Sequence, residues 1–268
     1  MVTYRDLVAA FRALKLGCNS AAIAHASLSS LGEVQGGAET VLGALLATCN
    51  GLMMPSFTYK TMVIPEAGPP NNALEYGKGA SRNRLAEIFD ADMRADTMMG
   101  AIAETLRGHP KAKRSLHPIL SFAGINVGYA LDSQTYSEPL APIGILTEAR
   151  GWVLLLGVNH TVNTAIHYAE RLARRKQFIR WALTPHGIRQ CPGFPGCSEG
   201  FQAITPYLEG LTRSVRVGPA LVQATPLHAL VDTVRELIAS DPQALLCHRD
   251  HCQRCNAIRQ EAGMLDRH

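Results

Sequence analysis

The stretch "LGVNHTVNTAIHYAE", residues 156 to 170, sets two histidines, an asparagine and a glutamate where an apolar run ends and an amphipathic pattern begins. His160 follows the apolar run directly. Asn163 or Thr164 suits the N-cap of a helix that carries His167 and Glu170 three residues apart, and so on one face. An imidazole held by a carboxylate is a candidate general base, because its ordinary pKa near 6.5 suits proton removal at neutral pH. No GxSxG elbow is present to activate a serine. The seven-residue gap between the histidines does not match the zinc-protease pattern HExxH.

Two further stretches have the composition of an anion site. "HASLSSLGEVQGGAE" (25–39) delivers Ser27, Leu28, Ser29 and Ser30, then glycines that open a helix; hydroxyls and helix-start N–H groups suit a phosphate. It is neither a P-loop nor a GxGxxG fingerprint, and a serine-rich helix cap reads the same way. "KAKRSLHPILSFAG" (111–124) sets Lys113, Arg114 and Ser115 ahead of a strand, which suits a second phosphate or a solvated basic loop.

The seven cysteines end in "CHRDHCQRC". Cys247, Cys252 and Cys255 there, with Cys191 or Cys197 as a fourth thiolate, fit a tetrahedral structural zinc; a cluster of reduced thiols packing a small subdomain fits equally. Cys18 and Cys49 stand alone, near element ends.

The elements that must position these groups alternate. A helix starts at Thr3 with Leu7, Phe11 and Leu14 on one face; strands are predicted at 21–28, 51–59, 119–125, 151–158 and 212–218. Helices are predicted at 36–49, 82–89, 98–107, 163–175, 226–239 and 253–262. Residues 63–81 read as a long loop, a length usually tied to function, and 184–200 as irregular. Alternation of this kind argues a layered α/β domain. We expect one domain over 1–268, with an irregular cysteine-containing subdomain from about residue 184.

With 268 residues, 47% hydrophobic and 18% charged, the composition is that of a soluble domain with a sizeable core. No apolar run approaches a membrane span and the N-terminus does not read as a signal peptide, so a cytoplasmic location is expected. The net charge of +4 comes without an aromatic-interleaved basic stripe, which argues against nucleic acid as a partner. The basic run "RLARRK" (171–176) reads as a solvated helix face.

Taken jointly, "HASLSSLGEVQGGAETV", "LMMPSFTY", "RSLHPILSFAG" and "WVLLLGVNHTVNTAIHYAE" resemble, in order and spacing, the aminoglycoside N3-acetyltransferase family, also called the antibiotic N-acetyltransferase family. The resemblance implies a three-layer α/β/α sandwich distinct from the GCN5 type. It implies acetyl-CoA as donor and an amine as acceptor, the 3-amino group of an aminoglycoside first. It implies that Ser27, Leu28, Ser29 and Ser30 hold the pantetheine and pyrophosphate arm, and that Lys113, Arg114, Ser115 and Phe122 lie along the rest of the cofactor. His160 would be the catalytic base, oriented by Glu170 and supported by Asn163 and His167. The acceptor pocket would draw on Tyr59, Glu66, Glu75 and Glu199, with Glu138 a further acidic candidate. The expected metal ligands are Cys197, Cys247, Cys252 and Cys255. Two departures stand out: Ala141 occupies a position where many members carry serine, and the chain is net basic although the family's drugs are polycations. Another amine as acceptor, or a noncatalytic CoA- or nucleotide-binding protein, are the alternative readings.

Overall fold

The computed structural model describes residues 1–17 and 20–265; Cys18 lies outside them. The first helix, α1 (Tyr4–Ala13), begins as its residues dictate. The Thr3 hydroxyl accepts from the Asp6 N–H and the Asp6 carboxylate accepts from the Thr3 N–H, a complete capping box. Leu7, Phe11 and Leu14 are buried beneath it.

Seven strands form the main sheet, ordered β4-β5-β2-β1-β6-β10-β9. They are β1 (Ala21–Ala26), β2 (Gly51–Pro55), β4 (Lys113–Arg114), β5 (Phe122–Ile125), β6 (Trp152–Leu156), β9 (Arg213–Val217) and β10 (Ala220–Pro226). The central three, β2, β1 and β6, run parallel, and the flanking strands pair antiparallel. Every residue of β2 and β6 is buried, because helices cover both faces. Alternation divides the core. Ala22, Ala24, Leu154 and Leu156 face α1, α2 (Gly37–Leu46) and α4 (Ala101–Gly108). Ile23, Val153 and Leu155 face α5 (Gly128–Leu131), α6 (Ala141–Glu148), α7 (Thr164–Leu172) and α8 (Leu227–Ser240). The result is a three-layer α/β/α sandwich.

A smaller sheet, β3 (Met62–Val63), β7 (Phe178–Thr184) and β8 (Gly187–Phe194), stands beside it; α3 (Ala80–Asn83) follows β3 in the chain, and α9 (Gln253–Leu265) follows α8 and accepts at the Ala257 carbonyl from Asn71 Nδ2. The long 63–81 segment is pinned to this sheet: the Asn72 side chain accepts from the Ile179 N–H and donates to the Ile179 carbonyl, and Tyr76 packs edge-on against Trp181.

Two expectations about elements are corrected. The helix predicted over 82–89 is a single short turn, Ala80–Asn83; Phe89 instead gives its N–H to the Leu183 carbonyl at the β7 edge. The stretch 184–200 is not irregular, since it contains the second strand of the β7–β8 hairpin. Its first four residues are exposed and it contains Pro192 and Gly193, so no alternation marks it; as an edge strand it tolerates the proline. Residues after 200 supply β9 and β10 to the main sheet and α8 against α7. Among the described residues no helix is long and apolar enough to cross a membrane.

Candidate functional site

Chain topology places the site. β1 leads through α2 to β2 on one side, while its other neighbour, β6, leads into α7 on the opposite face. Such a switch point opens a crevice outside the carboxyl ends of the strands. The loops after β1 and β6 meet there closely. Gly157, at φ +65°, would set a Cβ 2.6 Å from the Ser30 Cβ, so both its backbone conformation and the contact call for glycine.

The crevice is a cavity of about 1080 Å³. Pockets for one small ligand span roughly 300–1,000 Å³, so this one lies at the upper end of that scale. Ser27, Leu28, Ser29, Gly32, Val34 and Gly37 line the side after β1; Val158, Thr161, Val162, Thr164 and His167 line the side after β6. Tyr59, Met62, Arg82, Arg180, Phe194, Glu199 and Arg254 continue the wall toward the smaller sheet.

Three of the four predicted serine-loop residues face this space. The Ser27 hydroxyl organises the turn: it accepts from the Ser30 N–H at 3.3 Å and the Ser30 hydroxyl at 2.9 Å, and lies 3.1 Å from the Ser29 hydroxyl. Ser30 itself opens onto an adjoining recess with Gly157, Asn159 and Gln202.

The histidines differ from expectation. His160 is 2% exposed and does not line the cavity. It sits in a 3-10 turn, its N–H given to Gln202 Oε1 at 3.0 Å and its Nδ1 3.3 Å from Asn163 Nδ2; burial holds its pKa below the usual value. Asn163 is the α7 N-cap, accepting from the Ala165 N–H. Glu170 does not reach His160. Its Oε2 lies 2.7 Å from His167 Nδ1, and its Oε1 accepts from Arg175 Nη1 at 2.8 Å. Arg175 in turn donates through Nη2 to the carbonyls of Pro242 and Ala244. His167 itself lines the cavity, with Glu170 and then Arg175 behind it. The His167 ring is further held edge-on to Phe201, centroids 4.6 Å apart.

The reason for the difference is helical geometry. His167 and Glu170 share a face of α7, whereas His160 precedes the helix and is turned inward by its own N-cap. The same contacts correct the reading of "RLARRK": Arg175 is buried on Glu170, Arg171 pairs with Glu138, and Lys176 with Glu261.

The second predicted phosphate group is not at the cavity. The Arg114 guanidinium is spent on the carbonyls of Ser56, Ala91 and Met93 and on the Ser121 hydroxyl, and burial pushes its pKa down to about 10. Ser115 bonds the Phe122 backbone, Phe122 is core against Phe57, and Lys113 reaches out to Asp132. Of the acceptor candidates, Tyr59 and Glu199 line the cavity; Tyr59 is pushed up to about 12, chiefly by burial. Glu66 lies against Gly77, and Glu75 pairs with Lys78 at 3.0 Å, both away from the cavity.

Sequence reasoning passed over His25, Thr164, Arg180 and Arg254. His25 was visible as an imidazole inside an otherwise apolar strand. It is neutral, pushed down to about 3 by burial, and accepts from the Thr164 N–H at 3.4 Å. Arg180 lies far from the motifs in sequence, and Arg254 sits inside "CHRDHCQRC", where the cysteines alone drew the reading.

Cys197, Cys247, Cys252 and Cys255 converge, with all four sulfurs within 4.8 Å of one another. Cys191 is excluded from this group; it is buried on β8, its thiol directed to the Arg189 carbonyl. Tetrahedral zinc–sulfur bonds of 2.3 Å set sulfurs about 3.8 Å apart, so small side-chain adjustments suffice. The Cys197 thiol is driven below its ordinary pKa, chiefly by the hydrogen bond from Cys255, while Cys255 is driven above its own by the same bond and Cys247 by burial.

A parallel-centred sheet covered on both faces, with a strand-end cavity presenting a carboxylate-held imidazole, defines an α/β/α sandwich with the equipment for proton transfer. A family model described as aminoglycoside 3-N-acetyltransferase matches residues 23–239, and the chain belongs to that family. Aminoglycoside N(3)-acetyltransferase VII of Streptomyces paromomycinus is 33% identical over 184 residues, 64% of this chain and 61% of that protein. The chain thus matches about three fifths of the length of this curated relative. Among solved structures, the apoenzyme of aminoglycoside acetyltransferase AAC(3)-IVa superposes with a TM-score of 0.78 at 23% identity, covering 97% of each chain. AAC-IIIb, solved as a binary complex with CoASH, superposes at 0.71 and 23% identity, covering 89% of this chain and 96% of that one. These likenesses establish the shared fold.

Proposed function

We propose that the protein is an acetyl-CoA-dependent N-acetyltransferase that transfers the acetyl group directly to an amine, with His167 as general base. The observation that carries this is the chain Arg175–Glu170–His167, which ends in an imidazole lining a cavity of about 1080 Å³. Family membership and the CoASH complex of AAC-IIIb support the choice of donor.

The pantetheine arm enters along Ser27–Ser29 and the N-terminus of α2, where Gly37 faces the cavity and backbone N–H groups favour an anion. The amine nitrogen attacks the thioester carbonyl as its proton passes to His167 Nε2. Glu170 stabilises the imidazolium that forms, and Arg175 holds Glu170 in place. The oxyanion develops beside the Thr164 hydroxyl and the positive end of α7. Collapse breaks the carbon–sulfur bond, and the imidazolium returns the proton to the CoA sulfur. The products are an N-acetyl amide and free CoA. Cys197, Cys247, Cys252 and Cys255 hold one structural zinc, a closed four-thiolate site that ties the 195–199 wall of the cavity to α9.

The test is release of free thiol from acetyl-CoA in the presence of an amine panel, beginning with aminoglycosides because the relatives are named for them. Amine-dependent release is expected. Binding of CoA with no turnover on any amine refutes the enzyme reading.

A further inference from the structure

The wall beyond His167 has the wrong charge for a polycation. Among the described residues it carries Arg82, Arg180 and Arg254 against one carboxylate, Glu199, and Glu199 is already paired with Arg249. None of the three arginines makes an ion pair among the described residues.

Arg180 is the informative one. It is 5% exposed, yet its guanidinium lines the cavity. It lies over the rings of Phe194 and Phe178, at 4.9 and 5.5 Å from their centroids. Nη1 donates to the carbonyls of Asn72 and Ile179, which orients the plane but supplies no opposite charge. Burial first, and then the neighbouring Arg254 charge, push its pKa down to about 10. Arg254 has one hydrogen bond, from Nη1 to the Gly196 carbonyl. A buried cation without a counter-ion is costly to fold, and a planar fork on an aromatic face is built to receive a carboxylate or phosphate. A ligand that brings ammonium groups against this wall meets like charge instead.

We propose that the acceptor amine bears an anionic group, a carboxylate or phosphate, which pairs with Arg180 and Arg254 when the amine nitrogen reaches His167. This rests on the acetyltransferase reading above. It separates this chain from the aminoglycosides for which its relatives are named.

The experiment measures thiol release from acetyl-CoA by the full chain with matched acceptors: glucosamine and glucosamine 6-phosphate, hexylamine and 6-aminohexanoate, and gentamicin. The anionic member of each pair is expected to have the higher kcat/KM by about 10- to 100-fold, the range of one charged hydrogen-bonding contact. Arg254→Gln and Arg180→Gln should erase that preference, lowering kcat/KM for the anionic member far more than for its uncharged partner, with the KM for acetyl-CoA unchanged. Because Arg180 also ties Asn72 to β7 and Arg254 holds the Gly196 carbonyl, Arg254→Lys, which keeps the charge, is the second variant: it should retain most of the preference that Arg254→Gln loses, and equal loss in both overturns the inference. Equal or better turnover of gentamicin, glucosamine or hexylamine overturns the inference alone. A rise in the KM for acetyl-CoA in the arginine variants assigns them to the cofactor and overturns it as well. No thiol release from any amine, with acetyl-CoA binding intact, overturns the acetyltransferase reading and this inference with it.

Discussion

Replacing His167 by alanine removes the imidazole and little else. The ring makes one hydrogen bond, to Glu170, and one edge contact, to Phe201. Glu170 keeps its ion pair with Arg175, so no buried charge is orphaned. The stability loss is that of one charge-assisted hydrogen bond, about 1.5–3 kcal/mol, which leaves a domain of this size folded at 25 °C. The chemical loss is larger. General-base assistance is worth roughly 10²–10⁴-fold, about 3–5 kcal/mol of barrier at 1.36 kcal/mol per decade. The assay is steady-state thiol release at saturating acetyl-CoA, read beside a thermal melt. We expect kcat to fall by that factor, the KM for acetyl-CoA to hold, and added imidazole to restore part of the rate through the space left by the ring. His160→Ala is the control: it should lower the melting temperature but keep kcat within a few-fold, since that ring does not reach the cavity. The opposite pattern, with rate lost at residue 160 and kept at 167, refutes the assignment.

Glu170→Gln leaves the buried Arg175 without its counter-ion, a change that costs about 3–5 kcal/mol in buried pairs; thermal or urea unfolding should show a loss well above that of His167→Ala. Ser27→Ala removes the acceptor that organises the serine turn, and should raise the KM for acetyl-CoA by about 5- to 30-fold with little change in kcat, corresponding to 1–2 kcal/mol of hydrogen bonding. Acid should destabilise the protein through its buried imidazoles. The folded pKa of His25 is about 3 and that of His117 about 4, both pushed down by burial from 6.5, so the unfolded chain takes up protons first. Their contribution is fully present above pH 6.5 and is lost as pH falls toward the folded values, at up to about 1.4 kcal/mol per pH unit for each group. His25→Gln should be less stable at pH 7 and show a shallower acid slope in unfolding curves. Elemental analysis should find one zinc per chain; Cys255→Ser or chelation should remove it and loosen the segment around residues 195–199, read as faster amide exchange there, and a folded, metal-free protein with unchanged exchange refutes the site.

The sequence by itself determined the local features, because the forces behind them act over a few residues. The capping box at Thr3, the apolar strands at 21–26 and 152–156, the N-cap at Asn163 and the shared face of His167 and Glu170 are set by side chains close in the chain. The family motifs and the run Cys247, Cys252 and Cys255 were legible for the same reason, whereas the choice of Cys197 over Cys191 as their neighbour was tertiary. Tertiary structure decided which histidine lines the cavity, since His160 and His167 differ in where their elements turn rather than in residue type. It decided that Arg114 is consumed by three carbonyls from distant segments, and that Arg180 has no acid beside it among the described residues. Burial and charge pairing depend on which strands and loops become neighbours, and sheet order, with β6 beside β1 rather than β5, is written in no single stretch of the chain.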